Sequence, residues 1–172
     1  MSEILFGSGE LFVVEETVDE LGNPVEIETK VGESNGEATL GIEYETVDVR
    51  GGVNNQILKT FMTSQTVTFN AGIITFDLSV INKFIASKFS EDTTAGIRTL
   101  TINDKRTIPT NKLKFVHTKE DGKKITLLMY NAQNKSGLEW TFNNEEATAF
   151  SWEFTLAMDE NSGNIVEIIE EI

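Results

Sequence analysis

The sequence predicts a mainly β chain, an antiparallel β-sandwich or barrel with one flanking α-helix over about residues 79–89. Three observations carry this. Short stretches of alternating apolar and polar residues recur along the chain, turn signals separate them, and one segment has helical spacing. The length of 172 residues predicts a single domain, 1–172, able to bury a core without staples.

The elements follow in order. Leu11-Phe12-Val13-Val14 is a short apolar run ahead of the turn signal Leu21-Gly22-Asn23-Pro24. Val25, Ile27, Thr29 and Val31 alternate with Glu26, Glu28 and Lys30, the pattern of a half-buried strand. Ala38, Leu40, Ile42 and Tyr44 alternate with Thr39, Gly41, Glu43 and Glu45, and this strand runs on through Val47 and Val49 with a switch of face near Thr46. Residues 50–55, Arg50 to Asn55, read as a loop. Val67 and Phe69 share one parity of the next strand, whereas Ile74, Phe76 and Leu78 take the other; a flip at Gly72 predicts a bulge or bend. Ser79 is the expected N-cap of the helix, because Val80, Ile81, Phe84, Ile85, Lys88 and Phe89 fall on one helical stripe and Asp77 precedes them at the positive end of the dipole. The helix is expected to end near Ser90, ahead of a loop over 91–96. Strands are expected again over 97–103, 112–118 and 124–132, the last two joined by an Asp121-Gly122 hairpin turn. Phe150, Trp152, Phe154, Leu156 and Met158 share one face of a late strand, and a turn over 159–164 leads to a final strand, 165–169.

Charge is sorted along the chain. Residues 1–49 carry 13 acidic side chains and one basic one, residues 50–142 carry 7 acidic and 13 basic, and residues 143–172 carry 8 acidic and none basic. Monomeric surfaces usually mix their signs, so sorted signs imply a surface that meets a complementary one. The net charge of −14 disfavours nucleic acid as a bound partner, since a phosphate backbone is repelled. There are no cysteines, which excludes disulfides and thiolate chemistry. Met1-Ser2-Glu3-Ile4 lacks the basic start of a signal peptide, and no apolar stretch is long enough for a transmembrane helix, so no membrane insertion is expected.

Candidates for chemistry are few. His117 is the one histidine and shares parity with Leu113 and Phe115, which reads as a packed or edge residue. No Gly-x-Ser-x-Gly elbow is present, and Gly122-Lys123-Lys124 lacks the upstream glycine and the hydroxyl of a phosphate loop. Asp159-Glu160-Asn161-Ser162-Gly163 with Glu170 partly echoes a calcium loop, but its glycine stands one place early and strands flank it, so a hairpin turn is the better reading. Glu145-Glu146 and Glu170-Glu171 read as solvated surface. The face of Phe150, Trp152 and Phe154 could line a sugar groove, although strict period two favours core. No catalytic residue, cofactor or metal is expected.

Ile42-Glu43-Tyr44-Glu45-Thr46-Val47-Asp48-Val49, a polar loop rich in glycine and asparagine, residues 66–76 and a short helix ending near Phe89 follow one another. In that order they resemble the tail tube subunit of long-tailed bacteriophages and phage-tail-like particles. The strand from Phe150 to Met158, the turn at Gly163 and residues 165–170 are similar to that family's ending, and residues 5–12 are compatible with its start. The resemblance implies hexameric rings stacked into a hollow tube that conducts DNA or ions, a homo-oligomer without enzymatic activity. It also implies a long loop, here about 47–62, that reaches a neighbouring ring. Sheath, baseplate and tape-measure proteins are the implied further partners, and DNA is only passing cargo. The implied location is the bacterial cytoplasm during assembly, then the virion or particle tail.

A ring needs one face to meet a different face of its neighbour. The acidic N-terminal third is expected to face a basic stretch of the next subunit, with Arg50, Lys59, Lys105, Arg106, Lys112 and Lys114 as its cations. Glu43, Glu45, Asp48, Arg50, Asn54, Asn55, Lys59, Phe61 and Met62 are the candidate inter-subunit residues. Phe61 and Met62 read equally as interface anchors or as strand core. A continuous β-lined inner wall with an acidic lumen is expected, past which DNA slides without binding. The alternative is a monomeric β-sandwich that binds carbohydrate or protein, which requires an exposed aromatic cluster.

Overall fold

A computed structural model describes residues 9–73, 77–103, 107–140 and 150–172. The expectations placed on residues 1–8, on Ile74 and Phe76, on Lys105 and Arg106, and on Glu145-Glu146 lie outside these. The described residues are mainly β and antiparallel, with one short helix among them.

The first hairpin joins β1 (Gly9–Val18) to β2 (Pro24–Gly32). Its turn is built by Asp19, whose Oδ1 accepts from the backbone N–H groups of Leu21 and Asn23, each at 2.8 Å. Gly22 at φ +81° supplies the left-handed position there. The bonds from Asn23, its side chain foremost, hold the Asp19 carboxyl below its ordinary value.

β3 (Ser34–Gly51) and β4 (Gln56–Ile73) form a much longer hairpin. The helix α1 spans Leu78–Phe84 and is shorter than its apolar stripe predicts. Its N-cap is Asp77, not Ser79: the Asp77 carboxylate accepts from Ser79 N at 2.9 Å and from Ser79 Oγ at 2.7 Å. These bonds, with Ser79 as the largest cause, depress the Asp77 pKa. The helix stops because Ile85 is already extended and Lys88 and Phe89 are drawn into β5 (Ser87–Asp92), where they pair with Thr101 and Leu100 of β6 (Ile97–Ile102). The predicted loop over 91–96 is correspondingly a turn over 93–96. Asn111 Nδ2 satisfies the Lys83 carbonyl at 2.7 Å, closing one of the helix's orphan acceptors.

The remaining strands are β7 (Asn111–Thr118), β8 (Lys124–Gln133), β9 (Phe150–Ala157) and β10 (Val166–Glu170). The large sheet runs β2-β1-β7-β8-β9-β4-β3. β9 and β10 share one edge of β8 end to end: β10 pairs with Ile125 to Met129, whereas β9 pairs only with Asn131 to Gln133. That short junction lets the sheet fold over. β7 and β4 are three places apart, about 14 Å in a flat sheet, yet the rings of Phe115 and Phe69 lie 5.3 Å apart. The inward faces therefore enclose one core of Leu11, Val13, Val67, Phe69, Leu113, Phe115, Met129 and the β9 aromatics. α1 packs into it through Phe84, whose ring meets Trp152 and Phe154 edge-on, each at 5.1 Å.

Candidate assembly surface

The β3–β4 hairpin leaves the body. β4 pairs with β9 from Val67 to Ile73, so from Thr66 outward its sole partner among the described residues is β3. The two strands continue as a ribbon for about 30 Å at roughly 3.3 Å per residue. Between Ile42 and Thr66 every position is exposed except half-buried Gly51. The expected loop over 47–62 is thus a strand ladder reaching Gly51 and restarting at Gln56, with a turn at 52–55. Gly52 at φ +80° and Asn55 at φ +50° make that turn, and Asn55 N donates to Gly52 O at 3.2 Å.

All nine candidate inter-subunit residues lie on this arm. Cross-strand register sorts them. One face carries Ile42, Tyr44, Thr46 and Asp48 against Gln65, Met62 and Thr60. The other carries Glu43, Glu45, Val47 and Val49 against Ser64, Phe61 and Lys59. The apolar set of β3 changes faces between Tyr44 and Val47, beside the register shift that leaves Thr63 as the extra residue of β4. This is the face switch expected near Thr46. Thr63 Oγ1 donates to the Glu45 carbonyl at 3.1 Å, and Ser64 Oγ donates to the Glu45 carboxylate at 2.9 Å. Thr60 Oγ1 donates to Asp48 at 2.7 Å on the opposite face.

Phe61 and Met62 are 47% and 58% exposed, so neither is core of this chain. Lys59 Nζ sits 4.7 Å above the Phe61 ring. Sequence reasoning missed that Tyr44, Val47, Val49, Ile57 and Leu58 are exposed on the same arm; the alternation of Val47 and Val49 into the supposed loop was the available signal. A lone two-stranded ribbon is marginal in water, and apolar groups on both of its faces favour a partner that covers them.

The electrostatic expectation needs correction. Lys112 and Lys114 do not wait for a neighbour: Lys112 bonds Glu26 at 2.5 Å and Glu16 at 3.4 Å, and Lys114 bonds Glu28 at 2.7 Å, all within one chain. The fold places β7 beside β1 and so brings basic middle to acidic N-terminus internally. Arg50 lies 3.9 Å from Asp48 of its own arm and donates to the Asn55 carbonyl at 3.5 Å. Both contacts are exposed and individually weak.

Elsewhere the side chains serve the fold. Phe150, Trp152 and Phe154 are buried core and present no exposed aromatic face. Asp159 Oδ2 accepts from Ser162 N and Oγ, each at 2.8 Å, and Glu170 bonds Lys119, so the two ends of the calcium-like segment take separate partners. His117 Nε2 is buried without a hydrogen-bond partner among the described residues. Among the described residues no helix is long and apolar enough to cross a membrane. No protein-family model matches the chain, and no curated protein matches its sequence.

Proposed function

We propose that this chain is a structural, non-enzymatic protein that self-assembles into hexameric rings, stacked as the hollow inner tube of a phage tail or phage-tail-like particle. The observation that supports it most is the exposed β3–β4 arm with apolar residues on both faces. An arm this long gains stability only when another surface covers it, and a neighbouring copy is the partner that repeats indefinitely. The ends of the sheet order are two different edges, β2 and β3. Unlike edges favour head-to-tail contact, the kind a ring requires, and β3 can extend a neighbour's sheet. Glu43, Glu45 and Asp48 give the arm an acidic cast that DNA would pass without counterion release.

Phe61→Glu tests the arm's role. A charge beside Val47 on an exposed face leaves the isolated fold within about 0.5 kcal/mol of the parent. Burying that charge in an interface costs several kcal/mol. Sedimentation velocity should therefore find the parent in large species and the variant as a folded monomer. Equal assembly of both would remove Phe61 from the interface.

A further inference from the structure

The β1–β2 hairpin is attached to the body in an unusual way. Among the described residues its edge strand β2 pairs with no strand but β1. β1 in turn pairs with β7 only as far as Val14 opposite Lys112, so Glu15 to Val18 and their partners Pro24 to Ile27 lack a third strand among the described residues. Val25 and Ile27 are exposed, so burial contributes little to holding this half down.

Cations take that place. Glu28, Val14 and Lys112 form one row across the three strands, Glu26 and Glu16 the next row outward, and Lys30, Phe12 and Lys114 the next inward. Each β7 lysine leans one row toward the hairpin tip: Lys114 reaches Glu28 across β1, and Lys112 reaches Glu26 and Glu16. Their side chains are only 27% and 19% exposed, and Val14 beneath is 5% exposed although it faces outward. The lysine stems roof the valine while their heads hold the glutamates. On the inward side Lys83 of α1 bonds Glu15 at 2.5 Å. The ring of Tyr130 lies 5.7 Å from Lys112 Nζ and bounds it on the other side.

We propose that β2, the outer strand of the β1–β2 hairpin, is a salt-sensitive flap, latched to the body by Lys112 and Lys114 reaching over β1 to the glutamates of β2. Opening the latch frees β2 and turns β1 into the sheet edge, with its backbone groups open to a second copy. This goes beyond the tube reading and does not depend on it. The attractions act between partly exposed groups, so added salt weakens them.

Hydrogen exchange of the full chain tests the proposal. Protection factors of the hydrogen-bonded β2 amides, relative to β8, should fall about tenfold between about 20 mM and about 0.5 M NaCl, in line with local rather than global opening. The double variant Lys112→Met/Lys114→Met keeps the stems and removes the charges. It should show the lower β2 protection already at low salt and little further response. Salt-independent β2 protection in the parent would overturn the latch, as would a variant that still responds to salt like the parent. If the variant does not fold, the parent's salt series decides alone.

Discussion

Replacing residues 46–63 by Asn-Gly, so that Glu45 and Ser64 flank a two-residue turn, is expected to give a folded monomer that no longer assembles. Glu45 and Ser64 are directly paired across the ladder, and Asn-Gly favours the hairpin turn whose twist matches the strands. The excised positions include no buried residue; the β4 core begins at Val67. Thermal unfolding of the shortened chain should therefore stay close to that of the parent, since exposed segments carry little of the folding free energy. Assembly should be lost, because the deletion removes Val47, Val49, Phe61 and Met62 together with the arm's reach. Light scattering and circular dichroism on the same sample read the two effects separately. Retained assembly would mean that the arm is dispensable and that subunits meet through the body.

Trp152→Ala is expected to have the opposite profile, with a large loss of stability. Trp152 is 2% exposed. Its ring meets Phe84 at 5.1 Å and stacks between Phe150 and Phe154 at 6.4 Å on each side. Truncating a buried aromatic of this kind costs about 3–5 kcal/mol, a large part of the roughly 5–15 kcal/mol that holds a domain together. The urea midpoint should drop sharply, and α1 should loosen first because Phe84 loses the larger of the two rings it meets at 5.1 Å. A loss below about 1 kcal/mol would place the core elsewhere.

What could be read from the residues was local. The alternation of Phe150, Trp152, Phe154 and Leu156 marked a core strand and is one. The alternation from Val25 to Val31 marked the strand β2 but not its burial: Val31 is buried, whereas Val25 and Ile27 are exposed. The helix was overextended because Lys88 and Phe89 satisfy a helical period as well as a strand period. Their pairing with Thr101 and Leu100 decides the matter, and that lies in the partner strand. The arm was hidden for a related reason. Gly51, Gly52, Asn54 and Asn55 announce a turn, but register shifts at Glu45/Thr46 and Val49/Arg50 break the parity that would have carried two strands to its edge. The sorted charge was legible as a pattern, but its meaning was not. That β7 lies beside β1 is a long-range choice of sheet order, and it turns part of the supposed contact between copies into ion pairs within one. The cations left for a neighbour are fewer than the composition implies, so apolar burial along the arm must supply most of the affinity.

Electron microscopy of the purified parent chain at high concentration tests self-assembly most directly. Rings with a central channel, or hollow tubes built from them with six-fold symmetry, are the predicted result. Particles no larger than one chain at every concentration and salt would contradict it.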